Sequence, residues 1–185
     1  MPKDLPVEIP ALKKELVFRG KVWDVVTEHF EFEGQSLARD FIQHPGAVAV
    51  IALDEQQRIL LIRQYRRPVG SYLWELPAGL LDIKGERLEV AALRELAEET
   101  GYSAKAIEHL ITFHASPGGN SESISVYLAS EVFEVETDFE RTGEEIDLRP
   151  TWVPISEALE SVMASDMKNP AAVIGILALA RKLGI

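Results

Sequence analysis

Short apolar runs separated by turn signals fill the first third of the chain, and their spacing predicts strands there rather than helices. Residues 16–18, 22–32 and 36–42 read as strands, with Glu33-Gly34-Gln35 as a turn between the last two. Together they predict a small antiparallel sheet, too short to bury a face alone, that must pack on the rest of the chain or on another subunit. Ahead of it, residues 1 to about 14 carry Pro2, Pro6 and Pro10 and read as an extended arm. After His44-Pro45-Gly46, apolar strands are predicted at 47–53 and 59–64, joined by a turn over 54–57, and again at 73–77. Residues 107–113 and 123–128 read as strands flanking a loop over 116–121, and 152–154 as a last short strand. Two helices close the chain, one behind Ser156 as N-cap and one from Asn169-Pro170 to Gly184. Mixed strands with a few helices make an α+β protein: an arm and small sheet over 1–44, and a main domain over 45–185.

The segment from Gly79 to Tyr102, GLLDIKGERLEVAALRELAEETGY, breaks the strand pattern and carries the chemistry. It predicts a helix stopped at Gly101, with Glu95, Glu98 and Glu99 within about a 100° arc of one face. Val90, Leu93 and Ala97 fall on the other side, where a core could bury them. The acids crowd the helix C-terminus, where the macrodipole is already negative, and Glu95 and Glu99 repel at i, i+4. Folding does not ask for this arrangement. A hard divalent cation does, because Mg²⁺ takes carboxylate oxygens and leaves room for substrate phosphates.

Glu86, seven intervening residues, then Arg94-Glu95-Leu96-Ala97-Glu98-Glu99-Thr100-Gly101-Tyr102 resembles the Nudix box. Gly79 and Glu86 are separated by six residues where the family usually has five, an insertion in the 82–85 loop that leaves the helix register untouched. The resemblance implies the α/β/α Nudix sandwich with an N-terminal antiparallel sheet extension that helps build a homodimer. It implies that Glu95 and Glu99 hold metal ions, that Glu98 is a ligand or a base, and that the Ala78 carbonyl is a further ligand. Glu86 either assists the metal site or caps the helix. Arg94 has no metal role and more plausibly orients a neighbouring glutamate.

Composition narrows the partners. A chain of 185 residues is long enough to bury a full core. No run approaches the roughly 18 apolar residues of a membrane span, and the N-terminus lacks the apolar stretch of a secretory signal. The absence of cysteine fits a reducing cytoplasm. A net charge of −11 argues against a nucleic-acid duplex or an anionic membrane as partner. An anionic substrate must therefore be attracted locally, by metal and a few arginines.

Ala115-Ser116-Pro117-Gly118-Gly119-Asn120-Ser121-Glu122 is the second informative segment, a loop with unusual backbone freedom that brings Glu122 to an edge. Pro117, about sixteen residues beyond Gly101, resembles the proline that marks the ADP-ribose pyrophosphatase group of the family. In that group a glutamate of this loop often serves as general base or metal ligand. Glu122 is accordingly the first candidate to activate water, with Glu98 as the alternative and Glu144 and Glu145 as a third. The group also implies a substrate-phosphate contact for Arg66, and Arg63 and Arg39 are further candidates, Arg39 across a dimer. All three could equally be surface arginines offsetting an acidic protein. Trp74 reads as core, and Phe18 or Trp23 could stack on a nucleobase. His44, His109 and His114 lack the spacing of a zinc site and read as structural.

The resemblance thus implies a Mg²⁺-dependent hydrolase, with Mn²⁺ able to substitute, that cleaves the diphosphate of ADP-ribose or a related nucleoside diphosphate sugar. Its products would be a nucleoside monophosphate and a sugar phosphate. Two alternatives stand beside it. One is a nucleoside triphosphate or capped-RNA pyrophosphohydrolase of the same family; the other is a non-catalytic nucleotide-sugar sensor.

Overall fold

Glu33 and Gly34 both take positive φ, 50° and 78°, the backbone that a two-residue hairpin turn requires. The turn joins β2 (Asp24–Phe32) to β3 (Gln35–Gln43), and β1 (Lys13–Arg19) adds to the other edge in the antiparallel order β1-β2-β3. The structure, a computed structural model, describes residues 1–139 and 143–185, without the side chains of Glu144 and Glu145. Within it this sheet belongs to a first compact unit, Met1–Pro45 with Ser116–Glu122. The sheet begins three residues before the apolar run, because Lys14 pairs with Glu28 across the strands at 2.8 Å and extends the ladder. Val26 is the one residue of its strands that is fully buried, as expected of a sheet too small to make a core. The 116–122 segment is stitched to the end of β3: the Ile42 amide donates to the Gly119 carbonyl at 3.0 Å, and the Ser121 amide to the Ile42 carbonyl at 3.0 Å.

The second unit, Gly46–Ala115 with Ser123–Ile185, is built around β4 (Ala47–Ala52), which is buried on both faces. Its alternation assigns the layers. Ala47, Ala49 and Ile51 join a core with Ala158 and Val162 of α2 (Ile155–Met163) and Ala172, Ile176 and Leu179 of α3 (Pro170–Leu183). Val48, Val50 and Ala52 join a second core with Ala91, Ala92 and Leu96 of α1 (Leu88–Thr100). The strand elements are β5 (Arg58–Arg66), β6 (Ser71–Glu75), β7 (Ala78–Leu80), β8 (Tyr102–His114), β9 (Ser123–Glu134) and β10 (Thr151–Pro154). They form sheets ordered β7-β4-β9-β8 and β10-β5-β6, so helices cover both faces of an α/β/α sandwich. Gly175 lets α3 approach closely: a Cβ there would stand 3.0 Å from Ile51 Cδ1 and Leu76 Cδ1.

Three local expectations change. The stretch around Gly79 is a strand, not a loop, because Ala78 and Gly79 pair with Ala49 and Val48. Strands β8 and β9 extend past the apolar runs at 107–113 and 123–128, carried by their mutual pairing. Helix α2 starts at Ile155, and Ser156 is exposed and caps nothing. The Ile155 amide donates to the Gln57 carbonyl at 3.0 Å, which meets one of the free amides of its first turn. Asn169 does cap α3, accepting from the Ala172 amide at 3.0 Å. Asn169→Ala should lower stability by about 1 kcal/mol, read as a reduced denaturant midpoint with unchanged slope. No described helix is long and apolar enough to cross a membrane.

Candidate functional site

Helix α1 ends where Gly101 turns left-handed, φ 75°, with its amide on the Ala97 carbonyl at 2.9 Å. Its buried residues are Ala91, Ala92, Leu96, Glu99 and Thr100. Of the expected apolar side, Leu93 is half-buried and packs against the second core, Ala97 is half-buried, and Val90 is 49% exposed. The helix is rotated so that one of its acids faces inward. Glu99 tolerates this because the Ala78 amide donates to its Oε2 at 2.9 Å, which answers the desolvated charge with a directed donor.

Arg94 gathers the other three acids. Its Nε and Nη2 donate to Glu86 Oε1 and Oε2, both at 3.0 Å, in a two-point pair. Its Nη1 donates to Glu95 Oε1 at 2.6 Å and to Glu98 Oε2 at 3.1 Å. The hydrogen bond to Glu86, with Glu95 beside it, pushes the guanidinium above its usual range, so it stays charged. The same hydrogen bond from Arg94 holds Glu86 below the ordinary carboxylate range. Glu95 moves the other way. Burial raises it, against the opposing pull of Arg94, and Glu98 and Asp82 add repulsion. One cation therefore shapes the cluster, holding Glu86 down while burial raises Glu95.

Strand β7 forms the opposite wall. A Cβ placed on Gly79 would lie 2.0 Å from Glu95 Cδ and 2.1 and 2.3 Å from its two oxygens. The carboxylate rests where a side chain would be, so only glycine fits. Among the described residues no three acids or histidines converge as a ready-made cation cage, since Arg94 draws Glu86, Glu95 and Glu98 onto itself. The donor set still suits Mg²⁺, which is held by one or two carboxylates while substrate phosphates complete its shell. Hard oxygens at the end of a helix, one carboxylate raised by burial and a glycine cradle beneath it fit that ion.

The arginines sit elsewhere. Arg66, at the end of β5, donates from Nε and Nη2 to Glu75 Oε1 and Oε2 at 2.8 and 2.7 Å. Glu75 is 2% exposed, so this pair fixes the direction of the guanidinium. Glu75 was not singled out from sequence, although the β5–β6 register puts Ile62 opposite Glu75 and Arg66 opposite Ser71, on one face of the hairpin. Arg63 lies over the Tyr72 ring at 4.9 Å. Trp74 packs against the main core, as expected.

Two more candidates belong to the first unit. Arg39, in β3 opposite Glu28, is exposed and its Nη1 donates to the Ala38 carbonyl at 2.7 Å. Glu122 places its Oε1 3.3 Å from His44 Nε2, and its amide donates to Asn120 Oδ1 at 2.9 Å. His44 was read only as structural; nothing in the sequence pairs it with a residue of a distant loop. Phe18 is 62% exposed, and Trp23 stacks on His44. The side chains of Glu144 and Glu145 lie outside the described residues.

The NUDIX domain profile matches residues 43–173. The chain is 36% identical over 93% of its length to the ADP-ribose pyrophosphatase of Mycobacterium tuberculosis (strain ATCC 25618 / H37Rv), covering 83% of that protein. It is 38% identical over 87% of its length to the ADP-ribose pyrophosphatase of Bacillus subtilis (strain 168), covering 86% of that protein. A crystal structure of an ADP compounds hydrolase superposes with a TM-score of 0.80 at 21% identity, over 98% of this chain and 97% of that one, which is a likeness of fold.

Proposed function

The chain belongs to the Nudix family, and from that premise we propose that it hydrolyses the diphosphate linkage of ADP-ribose or another nucleoside diphosphate sugar. The observation that carries the reading is the glutamate cluster of α1, organised by Arg94 and seated on Gly79. The two relatives named ADP-ribose pyrophosphatase, each matched over most of its length, support the substrate class.

A divalent cation, Mg²⁺ or Mn²⁺, held by Glu95, Glu98, Glu99 and the Ala78 carbonyl would supply charge neutralisation at the diphosphate oxygens and Lewis acidity at phosphorus. Glu86 serves the same site through Arg94. Glu122 takes the proton of the attacking water, with Glu98 as the second candidate. Arg66, directed by Glu75, meets a substrate phosphate, and Arg63 and Arg39 add positive charge in a protein whose net charge is −11. Arg94 keeps the carboxylates from repelling one another before substrate arrives. We further propose a cytoplasmic homodimer built through residues 1–44, supported by the lack of cysteine and by exposed Leu16, Val17, Phe18 and Val22 in the first unit.

The test is product analysis with Mg²⁺ on ADP-ribose, GDP-mannose, UDP-glucose, a dinucleoside polyphosphate and a nucleoside triphosphate. Nucleoside monophosphate released from a diphosphate sugar, and abolished by a chelator, is the expected result. Pyrophosphate from the triphosphate would instead favour the triphosphate or capped-RNA reading. Binding of the sugars without turnover would favour a sensor.

A further inference from the structure

Strands β10, β5 and β6 have a second face, turned away from the glutamate cluster. Leu60 joins the core with α1, whereas Leu61 joins the core with α2 and α3, so successive residues of β5 face opposite ways. The register puts Ile62 opposite Glu75 and Arg63 opposite Trp74. Trp74 therefore shares the α2 side with Leu61, and Glu75 with its Arg66 partner lies on the other.

On the α2 side a cavity of about 220 Å³ lies between this sheet and α2. Its floor is apolar: Leu61, Trp74 and Val153 from the three strands, with Met167 beside them. Its rim is polar, from Glu157, Ser161 and Asp166. Local structure places the three polar groups. Glu157 and Ser161 are four apart on α2 and share a face. Ser165 turns the chain left-handed, φ 64°, and the Asp166 amide donates to the Ser161 carbonyl at 2.9 Å. The chain thus doubles back, so that Asp166 joins the rim while Met167 enters the core.

Folding alone gives little reason for such a lining. Interiors close-pack, and side chains around a cavity forgo the dispersion contacts that a filled one gives. Among the described residues no cationic side chain lines it. Two carboxylates beside an apolar floor are screened less than in water, so a cation held between them gains from both. The Trp74 ring adds a cation–π attraction. Size sets the rest of the ligand. An apolar cavity of about 150 Å³ takes a benzene, so this one admits a ring with a short aminoalkyl arm.

We propose that this cavity binds a small organic monocation, an aromatic or branched aliphatic amine. Its apolar body rests on Leu61, Trp74 and Val153, and its ammonium donates to Glu157, Asp166 and the Ser161 hydroxyl. The inference is independent of the hydrolytic reading, because none of these residues belongs to the glutamate cluster.

The test is calorimetric titration of the full chain with benzylamine, and with benzyl alcohol as its uncharged counterpart. Benzylamine should bind about 10-fold or more tightly than the alcohol, the worth of a charge-assisted hydrogen bond, and should weaken as salt is raised. Glu157→Gln and Asp166→Asn together should remove that preference and leave the fold intact, since both side chains are exposed. Ser161→Leu, which fills the mouth, should abolish binding of both compounds with no loss of melting temperature. A site-specific readout is the indole ¹⁵N–¹H resonance of Trp74, which should shift with benzylamine while those of Trp23 and Trp152 stay. Equal affinity for amine and alcohol overturns the proposal. So does benzylamine binding that persists in the Glu157→Gln/Asp166→Asn variant, because the amine then sits elsewhere, the α1 glutamates included. No binding at about 10 mM, well above the Kd of about 1 mM expected for so small a ligand, overturns it as well.

Discussion

Glu99→Gln should lower turnover by about three orders of magnitude and leave the protein folded. The two side chains are nearly isosteric, and the amide oxygen can accept from the Ala78 amide as Glu99 Oε2 does at 2.9 Å. On the proposed reading, what is lost is a negative charge that would face a cation and a diphosphate. Metal coordination is worth several kcal/mol of charge stabilisation in such reactions, and each 1.36 kcal/mol is tenfold in rate. Stability should hold or rise slightly, because Glu99 is 6% exposed and the neutral amide is cheaper to bury. Glu99→Ala makes the contrast. It strands the Ala78 amide without this acceptor, and should cost about 1–3 kcal/mol on top of the lost turnover. Steady-state kinetics and a thermal melt on both variants suffice. Wild-type turnover in Glu99→Gln would remove this residue from the metal site.

Gly79→Ala is the second large effect, and it separates catalysis from folding more cleanly. Its Cβ would overlap the Glu95 carboxylate, at 2.0 Å from Cδ. The obstructed atoms are the far end of a flexible side chain, so Glu95 can swing aside and the backbone need not move. In swinging, it leaves the Arg94 contact of 2.6 Å and the position from which it would meet a cation. A displacement of about 1 Å in a positioning group can cost 10²-fold in rate, and that is the loss expected in kcat. Stability should fall by only about 1 kcal/mol, the worth of one partly exposed ion pair. A melting point far below wild type with proportionate loss of activity would mean that β7 itself had been displaced, and that Gly79 serves the sheet rather than Glu95.

These two variants also mark where sequence reasoning reached and where it stopped. The helix over the glutamates, its end at Gly101 and the hairpin at Glu33-Gly34 were legible because each rests on residues within a few positions of one another. The cap by Asn169 was legible for the same reason. Ser156 misled because a hydroxyl in the right place is only an offer. The Gln57 carbonyl, nearly a hundred residues upstream and thus outside any local window, takes the Ile155 amide of that first turn. Val90 misled because periodicity gives the relative phase of a helix and not its absolute rotation. Burial of Ala92, Leu96 and Glu99 set that rotation once β4 and β7 were in place.

The sequence by itself determined the family, the reaction class it implies and the residues that carry four closely spaced acids and their arginine. Fixed spacing along one helix and its preceding loop is local information, and a chain of 185 residues states it without folding. Only the tertiary structure decided which acid is buried, which carboxylate lies on Gly79, that Arg66 is aimed by Glu75, and that His44 stands against Glu122. Each of those depends on strand register and on groups far apart in the chain. Their pairing energies exist only after the backbone has closed the distance between them.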